Sequence, residues 1–508
     1  MNTALQLAAV DLGSNSFRLE IGRAEGEQIY ILDSMRSNTR LAAGLTQNKL
    51  LSDEAQARGL EALAQFAQRL RGFDPSFVRV VATNTLRVAK NAAAFISQAE
   101  KVLGFPIEVI AGREEARLIF SGVAHSSPEP RLRQLVVDIG GGSTEFSVGL
   151  GFEPEVMESL YMGSINYTMT HFPGGFIDEY SMKQAELAAR RELQVIAAGI
   201  RASGWEVAIA SSGTARSIAR ILEENKIGDG EITPAGMRWV RKAILCAENI
   251  GDLQIAGLKA DRALNLPGGF AILSAVFSEF DVASVKIADN SLRLGVLYDQ
   301  LARISAPFGP QDKREYTVVQ FEQRYHVDAQ QSKRVAGLAA RFARDLGTAL
   351  GNDARNITCY VDWAARLHET GLTIAHNGYH KHSAYILENA DMPGFSRDEQ
   401  RRLAFLVLGH TGKLPKLARG EPASQNTWMA VACLRLAVLF HRSRVDLRLP
   451  KLHLTFDGKT LTLGIDAAWL KKQPLTGYSI EQEVQSWDAL GDARPFRFAL
   501  AHIEATAA

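Results

Sequence analysis

Apolar positions in the first half of the chain fall into short runs that end at an aspartate and a cluster of turn formers. Residues 9–22 read AVDLGSNSFRLEIG and residues 136–149 read VVDIGGGSTEFSVG, the second copy lying 127 positions after the first. Beyond each turn, Phe17, Leu19 and Ile21 alternate with Ser16, Arg18 and Glu20, as Thr144, Phe146 and Val148 do with Ser143, Glu145 and Ser147. A period of two predicts a strand with two unlike faces, so each segment is expected to be a β-hairpin with Asp11 or Asp138 at the lip of its turn.

A second pair of look-alikes follows. VVATNTLRVAKNAAAFI starts at Val80 and AIASSGTARSIARIL at Ala208, and aligning Thr85-x-Arg87 with Thr214-x-Arg216 gives an offset of 129. Both predict strand, polar turn and helix, with free N–H groups at the helix start. Two offsets that agree this closely point to a duplicated domain, with halves at 1–128 and 129–306. The stretch ISAPFGPQDK from Ile304 carries the Pro and Gly of a linker. Helical periodicity then dominates in QQSKRVAGLAARFARDLGTAL, YVDWAARLHETGL and WMAVACLRLAVLFHRS, predicting a helical region over 316–448. From about 449 to 508 alternation returns in LHLTFDGKTLTLGI, where Asp457-Gly458 predicts a hairpin turn and a small α/β end piece.

Composition narrows the class without naming it. The 508 residues are 46% hydrophobic and 22% charged, with 57 Lys plus Arg against 56 Asp plus Glu, so any anion site must be made locally and no nucleic-acid partner is expected. Cys246, Cys359 and Cys433 are too few and scattered for a disulfide frame. The opening MNTALQLAAVDLG lacks a basic n-region and is expected to be a strand rather than a signal peptide. WMAVACLRLAVLF is too short to span a bilayer and carries Arg435, so a buried helix is expected. These features place the protein in the cytosol, with peripheral attachment at the inner face of the membrane left open.

Two glycine and hydroxyl turns facing each other across a duplicated pair would line a cleft with N–H donors, which suits phosphate. Gly140, Gly141 and Gly142 allow close backbone approach, while Ser14, Asn15, Ser16, Ser143 and Thr144 add side-chain donors. Asp138 and Glu145 are hard oxygen ligands of the kind that hold Mg²⁺ through its waters. One such hairpin alone would be only a tight turn; two copies with the Thr-x-Arg turns favour the phosphate reading. In VIAGREEARLIFSGVAH the bland reading is that Glu114 and Glu115 complement a helix N-terminus. The functional one makes one of them a general base between the halves.

The ordered set VDLGSNSF, VATNTLRVAKN, GREEARLIF, VVDIGGGSTEF, SSGTARS and PGGFAIL resembles the exopolyphosphatase and guanosine pentaphosphate phosphohydrolase family over the first 300 residues. The resemblance implies an α/β fold of duplicated actin-like (ribonuclease H-like) domains and Mg²⁺-dependent hydrolysis of a terminal phosphoanhydride, with a K⁺ requirement left open. It puts the catalytic glutamate at Glu115 and the metal and water-positioning acids at Asp138, Glu145 and Asp11. Phosphate contacts fall on Gly13, Ser14, Asn15, Ser16, Arg87, Gly140, Gly141, Gly142, Ser143, Ser212, Gly213 and Thr214. It also implies a homodimer.

The leading expectation is a processive exopolyphosphatase; the rival is hydrolysis of guanosine pentaphosphate, or both activities in one site. Departures touch substrate preference: Arg18 stands where many relatives have His, and DNSLRLG from Asp289 puts Asn290 and Leu294 in place of Gly and Glu. A sugar or acid kinase and a non-catalytic sensor of polyphosphate or an alarmone are the competing classes. WAARLHETGLTIAHNGYHKHSAYIL resembles an HD-type phosphohydrolase domain, with His368, His376, His380 and His382 within 15 residues. The expected His-Asp pair is His368-Glu369 and Val438 stands where an Asp is usual, so a scaffold without its metal is expected. Its Lys413, Lys416, Arg419, Arg442 and Arg444 are candidates for tracking a long polyanion.

Overall fold

A computed structural model describes residues 5–46, 48–228, 230–305, 312–420 and 423–503. The chain divides into two compact units, Met1–Pro307 and Phe308–Ala508. Most of the linker expected from Ile304, residues 306–311, lies outside the described residues.

Two five-stranded sheets of identical plan make up the first unit. One contains β1 (Leu5–Leu12), β2 (Phe17–Glu25), β3 (Gln28–Ser37), β4 (Val78–Ala82) and β5 (Ile107–Val109), in the order β3-β2-β1-β4-β5. The other contains β6 (Arg133–Ile139), β7 (Thr144–Leu150), β8 (Glu153–Leu160), β9 (Val207–Ala210) and β10 (Lys286–Ile287), in the order β8-β7-β6-β9-β10. Each is an antiparallel three-stranded meander extended by two parallel strands. The register pairs Asp11 with Arg18 in the first hairpin and Asp138 with Glu145 in the second. Arg18 and Glu145 therefore occupy equivalent positions of the two copies.

Alternation in β2 and β7 predicts one apolar and one polar face, and both faces are in fact covered. Ser143, Glu145 and Ser147 are buried along with Thr144, Phe146 and Val148. The polar face of β7 packs on the helix Gly112–Ser126, where the Ser147 hydroxyl donates to the Ala116 carbonyl at 3.0 Å. That helix and Leu292–Ser305 lie between the sheets: one apolar cluster joins Leu7, Ala9 and Val81 of the first sheet, Val136 and Ile209 of the second, and Phe120, Val123, Val296 and Leu297 of the helices.

The two helices cross with their backbones in contact. A Cβ on Gly122 would stand 1.9 Å from the Ser291 carbonyl oxygen, and one on Gly295 would stand 1.8 Å from that of Leu118. Beside the crossing runs a buried ionic chain. Arg117 donates to Glu114 at 2.7 and 2.8 Å and to Asp299 at 2.5 Å, and Arg79 bonds the same Asp299. Burial works against the Asp299 charge, but Arg117, Arg79 and Arg303 outweigh it and hold that carboxyl far below its usual range.

In the second unit, helices that include Ala329–Asp345, Ala354–Leu367, Arg397–Gly409 and Gln425–Phe440 surround one apolar core. Arg435, the charge inside the apolar stretch, is paired with Glu483 at 2.5 and 2.7 Å. The closing sheet, β11 (Leu452–Phe456), β12 (Thr460–Asp466) and β13 (Arg497–Ile503), shares that core: Leu454, Leu463 and Trp487 cluster with Val431 and Phe342, so position 449 separates no second core. Among the described residues no helix is long and apolar enough to cross a membrane.

The Gly122 and Gly295 contacts are backbone to backbone, so no flexible side chain can yield. Gly122→Ala is expected to destabilise the first unit by about 1–3 kcal/mol or more in denaturant titration. Gly199→Ala, in the helix Glu179–Ser203 where a Cβ meets nothing within 4 Å, is expected to stabilise by roughly 0.5–1 kcal/mol. Equal effects at the two sites would show that the crossing is not tight.

Candidate active site

The turns after β1 and β6 are built alike. A Cβ on Gly13 would lie 3.0 Å from the Ser16 carbonyl oxygen and one on Gly140 3.0 Å from that of Ser143, which keeps both positions small. The two loops meet: Ser14 lies against Gly141 and Gly142, and Thr85 Oγ1 donates to Ser14 Oγ at 2.8 Å. Between them is a cleft of about 150 Å³ lined by Asp11, Glu115, Asp138 and Glu145, by both glycine and serine loops, and by Ser212, Gly213 and Thr214. Of the expected site residues only Arg87 and Thr144 do not line this cleft; Thr144 is fully buried and its hydroxyl donates to the Met162 carbonyl at 2.5 Å.

Arg87 stands behind the cleft lining, against Glu115. Its Nη1 donates to Glu115 Oε2 at 3.1 Å and to the Ile110 carbonyl at 2.9 Å, so it serves Glu115. Ser212 lines the cleft while its Oγ also accepts from Ala215 N at 3.1 Å, capping the helix Gly213–Glu224. The alignment partner of Arg87, Arg216, is the one that reaches the cleft wall, with Nη2 on the Ser211 carbonyl at 2.6 Å.

Four carboxyl groups facing one small cleft oppose one another. Burial raises Glu115 to about 7; Arg87 lowers it, while Asp11 and Asp138 add to the rise. Burial likewise raises Asp11 to about 6 against the pull of Arg293 and Arg18. Asp138 is raised by burial although Ser211 Oγ donates to it at 2.6 Å, and Glu145 is pushed well above the ordinary range by burial, then by Glu115 and Asp138. Such a set is short of positive charge at its centre. Among the described residues no three acidic, imidazole or thiol groups converge tightly enough to cage an ion. The donor set suits a hard cation held by a few carboxylates, with water and substrate oxygens completing its shell.

The cleft adjoins a basic cavity of about 520 Å³, with seven cationic side chains against Glu20 and Asp261. Arg18, Gly213, Arg216, Arg262 and Arg293 line both spaces. Arg293 comes from the DNSLRLG segment and bridges Glu20 at 2.7 Å and Asp11 at 3.8 Å. Arg18 is held below its usual value, at about 10, by burial and by Arg293, and stays charged at neutral pH. Arg216 was visible in the Thr-x-Arg repeat and Arg293 in the quoted segment. Arg262 carried no sequence signal, because its place depends on how the stretch before Leu266 packs on Gly213.

In the second unit His368 and His410 are buried with ring centroids 5.0 Å apart. Burial lowers both below the usual imidazole range. Arg444, a candidate for polyanion tracking, is instead bonded to Glu369 at 2.6 and 2.9 Å and to Asp328 at 3.2 Å. Lys413, Lys416, Arg419 and Arg442 are exposed.

The neighbours Glu114 and Glu115, both buried, should respond oppositely to neutralisation. Glu115 has a raised value, so the stability it gives is full below about pH 4.5 and is lost as pH rises through about 7. At pH 8, Glu115→Gln is expected to melt at or above the parent temperature. Glu114→Gln strips the buried Arg117 of one of its two charged partners and is expected to cost about 1–3 kcal/mol. Two equal losses would mean that the repulsion at Glu115 is not felt.

The Ppx/GppA phosphatase family model matches residues 21–304, and the model of Ppx/GppA phosphatase domain III matches residues 313–484. A protein of Pseudoalteromonas translucida named guanosine-5'-triphosphate,3'-diphosphate pyrophosphatase is 36% identical over 487 residues, covering 95% of this chain and 97% of its own. Two solved structures share the fold of the first unit. An exopolyphosphatase from Cytophaga hutchinsonii is 24% identical with a TM-score of 0.53 over 58% of this chain and 98% of its own. The Aquifex aeolicus Ppx/GppA family member is 24% identical with a TM-score of 0.51 over 59% of this chain and 98% of its own. Two matching family models laid end to end, and a relative matched over nearly its whole length, make this chain a member of the Ppx/GppA phosphatase family.

Proposed function

We propose that the protein removes the terminal 5'-phosphate of guanosine pentaphosphate, with inorganic polyphosphate as its second substrate. The observation that carries this is the adjacency of the carboxylate-lined cleft and the basic cavity, which share Arg18, Arg216, Arg262 and Arg293 as lining. A terminal phosphate in the cleft leaves the rest of the molecule in a space of about 520 Å³ rich in arginine. The 36% identical relative, named for the guanosine substrate, moves that reading ahead of polyphosphate. The seven cationic side chains of the cavity support polyphosphate too, since any phosphate chain is attracted there.

In this reading the loop N–H groups and hydroxyls of Gly13–Ser16, Gly140–Ser143 and Gly213–Thr214 hold the terminal phosphate. Glu115 accepts a proton from the attacking water, whose oxygen bonds to the terminal phosphorus as the bridging oxygen departs on the remaining chain. Arg87 orients Glu115 and keeps part of its population ionised near neutral pH. Asp138, Glu145 and Asp11 would hold Mg²⁺ through water. When bound, that cation supplies charge neutralisation of the phosphate oxygens.

Turnover measured on both substrates tests the reading. Guanosine pentaphosphate should give the larger kcat/KM, with orthophosphate as the released product. Glu115→Gln should lower kcat by about 10² to 10⁴ while substrate affinity is kept. Because Asp11 and Asp138 raise Glu115, the acid limb of the rate profile should lie near pH 7 at limiting Mg²⁺ and move to lower pH as Mg²⁺ rises. A limb that ignores Mg²⁺ would separate the cation from Glu115.

The metal can be followed without turnover. Mg²⁺ should raise the melting temperature more at pH 8 than at pH 5.5, since Asp11, at about 6, is largely protonated at the lower pH. Asp138→Asn should shrink that shift; an unchanged shift removes Asp138 from the site.

A further inference from the structure

The basic cavity contains one feature that a site for phosphate alone does not call for. Glu20 lies on β2, 94% buried as its 6% exposure shows, and lines the cavity. Its Oε1 accepts from Arg293 Nε at 2.7 Å, and its Oε2 has no hydrogen-bond partner. In the same cavity Arg216 Nε is a buried donor without a partner. An unmet buried acceptor is as costly as an unmet donor, and both occur rarely in folded proteins.

The two candidate substrates treat this pair differently. Phosphate chains are all acceptor: they satisfy the arginine donor and are repelled by the carboxylate. A nucleoside carries both kinds of group, with guanine presenting N1–H and the 2-amino group beside an acceptor oxygen and the sugar presenting a hydroxyl. A carboxylate among arginines thus attracts one ligand and penalises the other, which is how a site discriminates.

Resting on the guanosine pentaphosphate reading above, we infer that Glu20 is a specificity-determining residue that accepts a hydrogen bond from a donor on the nucleoside part of the substrate. Glu20 thereby sets the preference for guanosine pentaphosphate over polyphosphate. The competing role for the same side chain is to hold Arg293 in place, which would serve both substrates alike.

The experiment compares kcat/KM for guanosine pentaphosphate and a short-chain polyphosphate in the full-length protein and in Glu20→Gln. The expected result is opposite movement: at least about a tenfold loss for the nucleotide, where a charge-assisted bond is weakened, and a gain for polyphosphate, where a repulsion is removed. Parallel losses on both substrates would overturn the inference and leave Glu20 as a support for Arg293. A second arm needs no variant and decides the matter if Glu20→Gln does not fold. The unsubstituted protein is given the inosine analogue, which lacks the 2-amino group, the 1-methylguanosine analogue, which lacks N1–H, and the 2'-deoxy analogue. Loss with the inosine form places the bond on the 2-amino group, loss with the deoxy form places it on the sugar, loss only with the 1-methylguanosine analogue places it on N1–H, and full activity with all three overturns the inference. If the unsubstituted protein cleaves polyphosphate but not guanosine pentaphosphate, the functional reading itself falls, an outcome distinct from failure at Glu20.

Discussion

Two glycines decide how the first unit is assembled. Gly122 and Gly295 let the helices Gly112–Ser126 and Leu292–Ser305 touch along their backbones, between two sheets that each bury a face against them. Glu115 lies two turns before Gly122, and Arg293 lies two residues before Gly295, so the crossing fixes an acid from the first copy and a cation from the second over the same cleft. Arg117, Asp299, Glu114 and Arg79 anchor the crossing with a buried ionic chain, worth most as a constraint on register, because removing one member strands the others. Without that fixed approach, the two hairpin turns would be two separate tight loops.

What the crossing forces together is electrically uncomfortable. Glu115, Glu145, Asp11 and Asp138 share a small volume, and burial lifts all four above the usual carboxylate range. A fold selected for stability alone would replace them with neutral side chains. Their cost is offset from one side by Arg87, Arg18 and Arg293, and the remainder is the kind of strain that a cation and a phosphate chain would relieve together.

The frame of this arrangement was readable from the chain, and much of its wiring was not. The repeat from Asp11 to Asp138 showed as two hairpins because strand period and turn chemistry are local properties, and the repeated strand order follows from it. Loop residues such as Gly13 and Gly140 were readable for the same reason. The Thr-x-Arg turn does not reveal which way the long Arg87 side chain points, and its bond to Glu115 was not readable from it. Glu114 looked like a helix-start acid, yet no side chain caps that helix, and Glu114 turns inward to Arg117. Arg262 and Glu20 matter only through contacts distant in sequence, Arg262 against Gly213 and Glu20 with Arg293, and no local pattern encodes those.

Duplication explains the cleft's symmetry, and its function depends on where that symmetry is broken. Arg18 and Glu145 sit at the same register position of equivalent hairpins, each opposite the aspartate that lips its turn. In the first copy that position is a cation, facing the basic cavity; in the second it is an acid, facing Glu115 and Asp138. Arg87 and Arg216 differ in the same sense, one bound to Glu115 and the other at the wall shared with the cavity. A two-fold symmetric cleft would attract a phosphate chain equally from both sides and give it no direction. Charges of opposite sign at matched positions polarise the cleft, leaving it basic where it shares Arg18, Arg216, Arg262 and Arg293 with the neighbouring cavity and acidic around Glu115 and Glu145.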